Sequence, residues 1–131
     1  HSKSSAASDV YKRQNTKSDI ALCSNGKILE TGTSNIIFIK NNKYYSPIRK
    51  FYRGVNLKFF EKNFSIKKTN ININNLNQYE EILLIGSGKG VSTVSSIKEK
   101  NWNRKKYKSY ETFISKYQTK ILKQKKLSNY L

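Results

Sequence analysis

Apolar residues in this chain come in short runs, most at strand spacing and two at helix spacing. Residues 19–24 and 27–30 read as two strands joined by Asn25-Gly26, the pair preferred in a tight hairpin turn. Residues 35–40 place Ile36, Ile37, Phe38 and Ile39 in succession, so both faces of that strand are apolar and a central position is expected. Asn41-Asn42-Lys43 then turns the chain into Tyr44-Tyr45, and Ser46-Pro47 closes the segment. These signals predict a meander of short antiparallel strands.

Helical spacing takes over at Gly54-Val55-Asn56, where Val55, Phe59, Phe60 and Phe64 share one face. Residues 65–71 alternate as a polar strand, and residues 74–79 form a loop or a single helical turn. Glu81-Ile82-Leu83-Leu84-Ile85 is continuously apolar after its acid, as in a fully buried strand. It runs into Gly86-Ser87-Gly88-Lys89-Gly90, after which residues 91–97 resume as a strand. A closing helix over about residues 107–123 carries Tyr110, Phe113, Ile114, Tyr117 and Ile121 on one stripe. The pattern predicts an α+β fold of short antiparallel strands with a few packed helices. No repeat and no membrane-length apolar segment interrupts it.

Composition alters this picture at one end. The first eight residues are half Ser and hold two of the chain's three alanines, and the sequence contains no Met. Residues 1–14 therefore read as a flanking, adaptor-like segment outside the fold, and residues 15–131 as an incomplete domain. The net charge of +18 invites a nucleic-acid partner. However, 22 Lys against 4 Arg, with 15 Asn and 14 Ile, is what A/T-rich codons produce. Arg, the residue suited to bidentate contacts with bases, is scarce. A small basic nucleic-acid-binding protein is thus the alternative, supported by Lys105-Lys106-Tyr107-Lys108-Ser109-Tyr110, and composition is the favoured explanation. The single cysteine, Cys23, fits a reducing cytoplasm, and no metal-ligating pattern is present.

Three features carry candidate chemistry. Glu30 precedes a Gly32 bend that leads into an apolar strand, where an unpaired carboxylate is costly to hold. Gly54-Val55-Asn56 opens a helix, whose N-terminal amides and dipole suit a phosphate. Gly86-Ser87-Gly88 follows a buried strand and offers amides and a hydroxyl to an anion. It is not a Walker A loop, because Gly90 follows Lys89 and Leu83 occupies the first glycine position. A carboxylate for a protonated ring nitrogen, with two phosphate-binding segments, describes a site for pyridoxal 5'-phosphate.

These segments resemble the C-terminal, larger domain of the class IV (fold-type IV) aminotransferases, which include branched-chain and D-amino-acid aminotransferases and 4-amino-4-deoxychorismate lyase. The resemblance runs from about residue 15 to residue 97. Its most specific block is Asn25-Gly26-Lys27-Ile28-Leu29-Glu30-Thr31-Gly32-Thr33-Ser34-Asn35-Ile36-Ile37-Phe38. By resemblance, Glu30 meets the pyridine nitrogen of the cofactor. Val55 and Asn56 contribute amide and side-chain contacts to the phosphate, although Asn56 and Leu57 replace the family's Thr and Arg. Ser87 takes the place of a phosphate-binding Thr. Glu80 and Glu81 are expected to cap and pair at the strand entrance rather than to catalyse.

The family's Schiff-base lysine lies a few dozen residues before the position matching Glu30, so no lysine here is carried over as catalytic. The resemblance thus implies an enzyme's cofactor-binding part, inactive alone. The full-length protein would be a cytoplasmic homodimer of amino-acid metabolism, acting on amino or keto acids.

Overall fold

The computed structural model describes residues 9–12, 20–24, 27–31, 34–48, 53–86 and 90–128, the first three stretches by backbone alone. In chain order the elements are β1 (Asp9–Lys12), β2 (Ile20–Ser24), β3 (Lys27–Thr31), β4 (Ser34–Lys40), β5 (Lys43–Pro47) and α1 (Val55–Asn63). There follow β6 (Ile66–Thr69), a 3-10 turn at Ile73–Gln78, β7 (Glu81–Gly86), β8 (Gly90–Thr93), β9 (Ser96–Ile97), a 3-10 turn at Lys98–Lys100, β10 (Trp102–Asn103) and α2 (Lys108–Ser128).

β4 is the centre of the sheet because its side chains leave it no solvent face. β7 takes one whole edge of it, from Ser34 opposite Gly86 to Ile39 opposite Glu81. β3 and β5 must then share the other edge, and they do so at its two ends: Glu30 stands opposite Asn35, and Phe38 opposite Tyr45. β8 continues the sheet beyond β7, while β1 and β2 extend it beyond β3. The Asn41-Asn42 turn has both residues at positive φ, 51° and 60°, which asparagine tolerates and which the twist of a two-residue hairpin requires.

Alternation along β4 and β7 divides the core in two. Ile36, Phe38, Ile82 and Leu84 face one side, where Ile71, Ile73, Leu76, Tyr79, Val94 and Trp102 cover them. Ile37, Ile39, Leu83 and Ile85 face the other, covered by Leu57 and Phe60 of α1 and Phe113 of α2. The Trp102 indole N–H donates to the Tyr79 carbonyl at 3.0 Å, so the largest buried ring leaves no polar atom unpaired.

The structure departs from the sequence expectations in four places. β6 is parallel to β5, with α1 as the crossover between them, so the strands are not all antiparallel. Residues 91–97 are two strands: β8 ends at Thr93, the Val94 amide turns back to the Ile82 carbonyl at 2.9 Å, and β9 pairs with β10 instead. α2 runs to Ser128, beyond the apolar stripe. Asp9–Lys12, inside the segment set aside on composition, pairs with β2 along its whole length. The Asn25-Gly26 and Gly32-Thr33 bends, Ser87 and the side chain of Glu30 lie outside the described residues. No helix among those described is long and apolar enough to cross a membrane.

Candidate functional site

Two asparagines join the three sequence features at one end of β4 and β7. Asn35, buried on β4, accepts the Gly54 amide on its Oδ1 at 3.0 Å, which fixes where α1 begins. Gly54 has no side chain with which to cap the helix itself. The first intrahelical bond runs from the Lys58 amide to the Gly54 carbonyl at 3.1 Å. The amides of Val55, Asn56 and Leu57 therefore precede any intrahelical acceptor and project from the positive end of the helix dipole. Val55 is 67% exposed, so this end is open to solvent. No acidic residue occupies the first turn.

Asn56 is buried, and its carboxamide is engaged at both ends. Its Nδ2 donates to the Gly86 carbonyl at 2.7 Å, and its Oδ1 accepts from the Lys120 ammonium at 2.8 Å. What remains for an anion is the backbone N–H and one Nδ2 hydrogen. The first of these bonds ties the start of α1 to Gly86, the last residue of β7. Sequence reasoning missed Lys120 entirely. It lies 64 positions from Asn56, and no spacing rule distinguishes it among 22 lysines.

The strand register places Glu30 in the same neighbourhood. It stands opposite Asn35, and Asn35 stands opposite Ile85, two positions before Ser87. The backbone at Glu30 is thus two strand spacings, about 10 Å, from that of Ile85. Positions 30, 35, 54–56 and 85–86 all meet at this end of the sheet.

The last glycine of the Gly-rich segment has a packing role. Gly90 has φ +75°, and a Cβ there would overlap the Tyr117 ring of α2. Close backbone approach is required at Gly90, but to a helix of the same chain. Glu81 is likewise structural, as expected. Its carboxylate, 1% exposed, accepts the Ser109 and Tyr110 amides at 3.0 Å each and so caps α2. Glu80 pairs with Lys106 at 3.2 Å and accepts the Asn41 amide at 3.3 Å. Among the described residues no group of His, Cys, Asp or Glu could hold a metal ion.

Comparison with solved structures places this architecture. A candidate 4-amino-4-deoxychorismate lyase from Legionella pneumophila superposes with a TM-score of 0.64 at 16% identity, over 85% of this chain and 41% of that one. The 4-amino-4-deoxychorismate lyase of Pseudomonas aeruginosa gives 0.60 at 15% identity, over 70% and 36%. An aminotransferase from Brucella abortus, solved with the cofactor PLP bound, gives 0.55 at 19% identity, over 70% and 36%. At these identities the likeness is one of fold, and the chain spans about two fifths or less of the length of each. No curated protein matches the chain closely enough to count as a relative. The family model for amino-transferase class IV matches residues 6–97, which takes in β1 to β9 and every site residue read from the sequence, and stops short of Lys120. The chain belongs to the class IV aminotransferase family.

Proposed function

We propose that this chain is the cofactor-binding part of a pyridoxal-phosphate enzyme. The full-length protein either moves an amino group between amino and keto acids or performs the lyase reaction of the 4-amino-4-deoxychorismate type. The carrying observation is that the segments around Glu30, Val55–Asn56 and Gly86 meet at one end of β4 and β7. The donors found there suit the cofactor's phosphate: first-turn amides of α1, no acid in that turn, and the Lys120 ammonium beside Asn56. Nothing in the fold or the family match supports the nucleic-acid alternative.

Bound pyridoxal phosphate supplies an electron sink for the substrate carbon. In this proposal the residues of the chain hold and tune it. The Glu30 carboxylate keeps the ring nitrogen protonated. The Val55 and Asn56 amides and Ser87 hold the phosphate. Residues 15–131 form this part, with Asp9–Lys12 as an added edge strand. The catalytic lysine is supplied by protein outside this chain. Family resemblance supports a homodimer acting in amino-acid metabolism, and the single cysteine fits a reducing, cytoplasmic setting.

The test is Glu30→Gln in the full-length protein. Turnover is expected to fall by about 100-fold, the scale for losing one preorganised electrostatic partner. Cofactor affinity, followed by the visible absorbance of bound pyridoxal phosphate, should fall far less. Unchanged turnover would overturn the assignment of Glu30, and absence of cofactor binding by the wild type would overturn the function.

A further inference from the structure

α1 begins beside a cation, an arrangement that works against itself. The N-terminal end of a helix carries partial positive charge, and a lysine there is destabilising unless an anion is near. Yet the Lys120 ammonium sits 2.8 Å from Oδ1 of Asn56, the second residue of α1. It is half-buried and lies over the rings of Phe59 at 5.1 Å and Tyr117 at 5.8 Å, so it is held there by packing as well as by one hydrogen bond. Among the described residues no carboxylate forms an ion pair with it. The opposite end of the Asn56 carboxamide is fixed on the Gly86 carbonyl at 2.7 Å.

We propose that Lys120 is a positioning residue for the cofactor's phosphate, a role that rests on the pyridoxal-phosphate assignment above. Lys120 and Gly86 grip the two ends of one side chain. This sets the first-turn amides of α1 at a fixed separation from Gly86, where β7 ends. The ammonium also adds its charge to the positive end of α1, and the bound phosphate supplies an anion that no carboxylate among the described residues provides. α2, which lies beyond the residues the family model matches, thereby governs how tightly the phosphate end is held.

The phosphate can be isolated experimentally by comparing pyridoxal phosphate with pyridoxal, which lacks it. In the full-length protein, both are titrated into the wild type, Lys120→Met, Lys120→Gln and Lys120→Arg. Lys120→Met is expected to lower the preference for the phosphorylated form by about tenfold, the size of one modest charge-assisted contact. Lys120→Arg restores most of it. Lys120→Gln keeps a donor for Asn56 without the charge and lies between. A merely structural lysine would weaken both ligands equally and leave their ratio unchanged, and that result overturns the proposal. So does an unchanged ratio in Lys120→Gln, should Lys120→Met fail to fold. A wild type that binds neither ligand overturns the cofactor assignment itself, which distinguishes that failure from this one.

Discussion

Gly90 concentrates two constraints in a single position. Its φ of +75° is one that a side chain rarely adopts, and the space a Cβ needs is filled by Tyr117. Gly90→Ala is therefore expected to destabilise the full-length protein by about 2–4 kcal/mol, from left-handed strain plus overpacking. Urea denaturation measures it, and Tyr117→Ala in the same background should recover the steric part. Tyr79 has a different sensitivity. Burial first, and the neighbouring Tyr45 second, raise its phenol above the ordinary 10.0. The native state thus holds the proton where the unfolded chain has begun to release it. Its contribution to stability is complete below pH 10.0 and is lost as pH rises through the raised value. Tyr79→Phe should flatten the alkaline end of the stability profile and leave the neutral range nearly unchanged.

At the scale of elements, α2 depends on an acid from another part of the chain. Glu81 opens β7 yet caps α2 by accepting two of its amides, with the helix dipole in its favour. Glu81→Ala leaves those buried donors unpaired and should cost about 2–4 kcal/mol. Hydrogen exchange would locate the loss: the Ser109 and Tyr110 amides should lose protection first. Elements were the best-read level of the sequence. Four apolar residues in succession placed β4 at the centre, and Asn41-Asn42 marked a hairpin turn that positive φ explains. Partners were harder to read. Alternation identifies β6 as a strand, but its parallel pairing with β5 follows from α1 crossing between them. β1 was hidden by the Ser-rich residues around it, since composition averages over a short strand.

Over the whole molecule, the candidate site was legible as three motifs and illegible as a connected object. Each motif announced itself locally, through a carboxylate near a bend, a helix start and a glycine turn. What joins them is Asn35 on Gly54, Asn56 on Gly86 and Lys120 on Asn56, contacts between residues 19, 30 and 64 positions apart. Such contacts leave no periodic trace in a single sequence.

The covering of β4 and β7 by separate stretches also imposes a timetable. One face is sealed by segments up to Trp102, whereas the other waits for Phe113 and Tyr117. A chain leaving the ribosome can close the first side while Ile37, Ile39, Leu83 and Ile85 are covered on the second by α1 alone. This second side of the core closes only when α2 has emerged, and until then those four side chains are where a chaperone would hold the chain.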